Sequence, residues 1–79
     1  MTRIVIIAQN LRHAESFGEN LIPMLDRLPT FCSPETPDKL RGLRNAIVFL
    51  YCISVSSLPT EMQRSLRRTD VALIHVMED

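Results

Sequence analysis

The sequence predicts an α/β protein: a small, mostly parallel sheet of three or four strands, with helices on both faces to make three layers. Two observations carry this. Residues 3–8, 46–53 and 71–77 are nearly continuous apolar runs rich in β-branched residues. Strands with one wet face alternate in polarity, whereas continuous runs fit strands covered on both sides. Between the runs, apolar residues recur at three and four positions, the period of a helix with one buried stripe. Strands that alternate with helices lie parallel, because each helix carries the chain back over the sheet.

The first run opens at Arg3 and closes at Ala8. Asn10 then suits an N-cap, where a side-chain oxygen accepts from a free amide of the first helical turn. Leu11, Ala14, Phe17, Leu21, Leu25 and Leu28 form one helical stripe. Pro23 removes one hydrogen bond from that helix and crowds the preceding turn. It predicts a kink near Glu19, or two short helices with Asn20 capping the second; Pro29 stops the helix. Residues 30–33 read by themselves as a loop, and only the alternation of elements makes room for a short strand there. Thr36 and Pro37 start a second, short helix, a cap followed by proline at the first helical position. It turns Leu40 and Leu43 inward and ends near Asn45. A third helix follows Ser57 or Thr60, with Leu58, Met62 and Leu66 at four-residue spacing, and stops at Thr69 and Asp70.

These elements make one domain over residues 1–79. A chain of this length buries only roughly 60% of the surface it exposes when unfolded, so its stability margin is thin. Lys plus Arg and Asp plus Glu each number 9, a formal net charge of zero, which argues against nucleic-acid binding by bulk charge. No apolar stretch reaches the roughly 20 residues that span a bilayer, and the first run is too short for the apolar core of a secretory signal. The expected location is the cytoplasm, away from membranes. The two cysteines agree with a reducing compartment. Cys52, inside an apolar run, is expected to be a buried thiol, and Cys32, in a loop, the one that labels fast.

A flavodoxin-like arrangement of such elements has the strand order 2-1-3-4. The spacing of strands near residues 4, 47 and 72, over most of the chain, resembles a CheY-like receiver domain that stops after its fourth strand. The resemblance implies a degenerate member. Receivers hold magnesium with acidic residues after the first strand, where this sequence has Gln9 and Asn10. They accept phosphate on an aspartate at the end of the third strand, where it has Ile53, Ser54, Val55 and Ser56. No magnesium pocket and no receiver-type phosphotransfer are then expected.

Ligands of open parallel sheets sit beyond the carboxyl ends of the strands. That edge gathers Gln9, Asn10, Arg12 and His13, then Ser54, Ser56 and Ser57, then Glu78 and Asp79. Hydroxyls beside an arginine are the parts of an anion site, so Asn10, Arg12, Ser54, Ser56 and Ser57 are the candidate ligand-binding set. The plainer alternative is that Ser56 or Ser57 caps the third helix and the rest is a polar loop. Gly18 and Gly42 both fall inside helical patterns, so there is no phosphate-cradling glycine loop. No residue has metal-ligand spacing, no cofactor is implied, and the serines and histidines carry too little pattern to indicate catalysis.

Lys39, Arg41 and Arg44 cluster on the second helix, and Arg64, Arg67 and Arg68 make one stripe on the third. Together they would form a basic face, diluted by Glu35, Asp38, Glu61 and Asp70, for which nucleic acid is a possible but unfavoured partner. The last run, polar only at His75, would be an apolar edge strand, a liability that native proteins cover. Val71, Leu73, Ile74, His75 and Val76 are therefore the candidate interface, for a second copy or another protein. The sequence thus favours a non-enzymatic regulatory or protein-interaction module that self-associates. A small-ligand or anion-binding domain comes second, and a nucleic-acid-associated protein third.

Overall fold

Apolar runs of this kind satisfy both their side chains and their main chain by pairing with each other. A computed structural model describes residues 2–25 and 28–77; Met1, Asp26, Arg27, Glu78 and Asp79 lie outside the described residues. Strands β1 (Arg3–Ile7), β2 (Thr30–Cys32), β3 (Ala46–Tyr51) and β4 (Val71–Val76) form one all-parallel sheet. Their order, β2-β1-β3-β4, is the flavodoxin-like one. Residues 30–32 are thus a strand, paired with Val5, Ile6 and Ile7.

Alternation along the strands splits the core into two unequal halves. Helix α2 (Thr60–Leu66) and a 3-10 helix at Pro37–Leu40 cover one face. There Val5, Ile7, Cys32, Val48 and Leu50 of the sheet pack with Leu40, Leu43, Leu58, Met62 and Leu66, all buried. Helix α1 (Leu11–Leu21) lies on the other face, where only Ile6, Ala8 and Ala14 make the buried centre. Phe17 extends that half across β3: its ring stacks on Tyr51 with centroids 4.6 Å apart and tilts against Phe49 at 6.1 Å. Gly18 lets α1 approach β2, since a Cβ there would run into the Phe31 ring.

Three expectations need correction. The stripe of α1 stops at Leu21, with no kink near Glu19. Pro23 sits inside a following 3-10 helix, Ile22–Met24, at a position whose amide is not needed. Asn20 bonds Ser16 O instead of capping, and Leu28 is 79% exposed. The second helix starts where expected and buries Leu40 and Leu43, but it is a single 3-10 turn. It leaves through Gly42 (φ 74) and Asn45 (φ 48), left-handed positions that end a helix; Gly42 is a turn glycine. The thiols are reversed. Cys32 is fully buried on β2, with Sγ 3.3 Å from Thr36 O. Cys52 lies one residue past β3, half-buried, at φ 53.

Candidate functional site

Strand order reverses between β1 and β3: β2 lies on one side of that pair and β4 on the other. Loops leaving such a pair diverge and open a crevice at the carboxyl ends. Register aligns Ile7, Leu50 and His75, so Gln9, Cys52 and Met77 reach the same rim. A cleft of about 490 Å³ opens there, lined by Gln9, Pro34, Cys52, Ile53, Ser54, Ser57, His75 and Met77. Gln9 and Cys52 also border a smaller recess of about 140 Å³ with His13 and Tyr51.

The candidate ligand residues divide. Ser54 Oγ lies 3.1 Å from Ser56 Oγ and 3.0 Å from Ser57 Oγ, three exposed hydroxyls gathered in one 3-10 turn. Ser54 and Ser57 line the cleft. Neither Ser56 nor Ser57 caps α2, which begins at Thr60 with Pro59 at the cap position and no side-chain cap bond. Asn10 is occupied as the cap of α1, Oδ1 accepting from His13 N–H at 2.9 Å. Arg12 is exposed on the first turn and is not among the lining residues. Cys52 and His75 line the cleft, although the sequence places both inside strands. The signal for Cys52 was length: a run of eight exceeds the usual strand of five or six residues, so its last members fall in the loop.

The candidate interface also divides, by face. Val71 and Leu73 turn to the α2 side and pack on the main core. Ala72 and Ile74 lie on the α1 side beside Ile47 and Phe49, beyond the reach of α1, and Ile74 is 41% exposed. Val76 pairs with Tyr51 on that side and is half-buried; His75 is exposed on the edge.

The basic face is largely occupied. Arg41 pairs with Asp38 (3.3 Å) and Glu61 (3.2 Å), Lys39 Nζ donates to Phe31 O (3.0 Å), and Arg67 reaches Gln63 (3.5 Å). Arg44, Arg64 and Arg68 border one shallow concavity of about 230 Å³, and Arg68 is held by Asp70 at 3.1 Å. Asp70 Oδ2 accepts Asn45 N–H at 3.1 Å, which ties the start of β4 to the start of β3. That main-chain bond is the largest influence; it outweighs desolvation, which comes next and acts the other way, and with the Arg68 bond and charge it holds the Asp70 carboxyl below its ordinary pKa.

Among the described residues no group of three His, Cys, Asp or Glu is placed to hold a metal ion, and no helix is long and apolar enough to cross a membrane. No protein-family model matches the chain, and neither does any curated protein or solved structure.

Proposed function

We propose that this protein is a non-enzymatic, regulatory protein-interaction module of the cytoplasm, a receiver-like domain without the phosphoacceptor, that binds through the β4 side of its sheet. One observation carries this: the outer strand β4 is apolar, and Ala72 and Ile74 on its α1 side are exposed. At about 25 cal/mol per Å² of apolar area, covering a few hundred Å² releases several kcal/mol before the costs of association. For a chain whose whole stability is on the order of 5 kcal/mol, that is a large term.

Sedimentation of the purified chain at micromolar concentration, with mass determination of co-purifying proteins, tests the role. A mass above the monomer, or a stoichiometric partner, should disappear with Ile74→Lys while the thermal transition persists. A monomer with no partner, or an association that Ile74→Lys leaves intact, refutes it.

The cleft at the β1–β3 reversal favours a second function, capture of a small polar ligand by Gln9, Ser54, Ser57 and His75. Its ligand should shield Cys52 from iodoacetamide; inorganic phosphate and small carboxylates are the first probes. Unchanged Cys52 alkylation across those probes removes that function for anions.

A further inference from the structure

We propose that the partner on β4 is a second copy of this chain, added as an antiparallel strand about a two-fold axis at Ile74, so that two four-stranded sheets become one. This rests on the interaction role above and adds the partner and the register.

The main chain of β4 supplies the first argument. Ala46 N–H donates to Asp70 O (3.1 Å) and Cys52 N–H to Val76 O (2.8 Å). Main-chain groups of alternate residues in a strand point to the same side. Ala72, Ile74 and Val76 therefore address β3, and Val71, Leu73 and His75 point out of the sheet. Val71 N–H is taken by Arg68 O at 3.2 Å. The outward N–H and C=O groups of Leu73 and His75 have no partner among the described residues.

An axis normal to the sheet at Ile74 sets Leu73 opposite His75 of the second copy, and His75 opposite its Leu73. Each such pair exchanges both of its main-chain bonds. Both of these central pairs are free of Val71, whose N–H is already bonded, whereas an axis at Leu73 leaves only the pair of Leu73 with its own copy free and sets His75 opposite Val71. The side chains agree with the Ile74 axis: Ile74 meets its own copy on the α1 side, flanked by Ala72 against Val76.

Charge supplies the second argument. Residues 71–77 contain no Lys, Arg, Asp or Glu, so within this stretch identical strands bring no like charges opposite each other. The formal net charge of zero leaves no long-range repulsion between copies.

Cysteine cross-linking of the full chain reads the register. Directly opposed, non-hydrogen-bonded residues have Cα atoms about 4.5 Å apart, within the reach of a disulfide. In a Cys52→Ser background with oxidised glutathione, Ile74→Cys should give covalent dimer roughly tenfold faster than Ala72→Cys, which faces Val76 and not its own copy. Both positions are exposed on the same face, so equal rates, or no dimer from Ile74→Cys while the wild type sediments as a dimer, overturn the strand pairing and leave the interaction role standing. A monomeric wild type overturns the second copy as partner; if Ile74→Lys also displaces no other protein, the interaction role falls with it. Hydrogen exchange of the unmodified chain gives an independent reading. The amides of Leu73 and His75 should slow as concentration rises while that of Phe31 does not change, and no concentration dependence at Leu73 and His75 overturns the proposal.

Discussion

The two edges of the sheet are built differently. On the β2 edge the strand has three residues, with Pro29 buried just before it and Pro34 two residues after it. Ala8 N–H bonds Cys32 O, so the outward carbonyl of β2 is that of Phe31, and Lys39 Nζ occupies it. Phe31 itself is held by α1 at Gly18. On the β4 edge the strand has six residues, without proline, charge or a capping side chain. Shortness, proline and lysine are the ordinary means of blunting an edge. One edge has all three and, among the described residues, the other has none.

Lysine substitution on each edge should break the symmetry most. Cys32→Lys places an ammonium in the closed core, at a cost of several kcal/mol. Against a total on the order of 5 kcal/mol, it should leave no cooperative thermal transition by circular dichroism. Ile74→Lys should keep the transition and lower the stability of the monomer itself by about 1 kcal/mol or less, apart from the stabilisation lost with the association. Equal losses would mean that β4 is as enclosed as β2.

Thiol labelling sharpens the same contrast more gently. Cys32 reacts only when its edge opens, so Cys52 should alkylate faster by roughly two orders of magnitude under native conditions. Equal rates would show β2 open, and a faster Cys32 would restore the loop that the sequence suggests.

The smallest effect concerns how β4 is anchored. The Asp70 carboxyl is held below its ordinary value, first by Asn45 N–H and then by Arg68. A depressed folded pKa contributes stability that is complete above the unfolded value, about 4, and is lost as pH falls through the folded one. Wild-type stability should therefore decline on acidification below about pH 4, and Asp70→Asn should flatten that decline while lowering stability at neutral pH. Parallel acid limbs in the two proteins would remove Asp70 from the account.

Periodicity alone was enough to read β1, β3, β4, α1 and α2, because burial on two faces or on one stripe leaves a repeat in the chain itself. The order β2-β1-β3-β4 is the one expected of a flavodoxin-like arrangement, but crossovers of one hand also permit 1-2-3-4, so periodicity alone does not fix it. The inward residues Leu40, Leu43, Leu58, Met62 and Leu66 were legible for the same reason. What lacked a local repeat had to wait for the folded chain. Three residues at 30–32 are too few to show a period and become a strand only because β1 offers them partners. Cys32 and Cys52 exchange environments because burial belongs to the neighbours that converge on a side chain, and β3 ends one residue before Cys52. The cleft likewise joins Gln9, Ser54 and His75, which are far apart in sequence and have no common pattern. The coverage of β4 depends on how far α1 reaches across the sheet, a distance set by Gly18 and Phe17 packing in three dimensions.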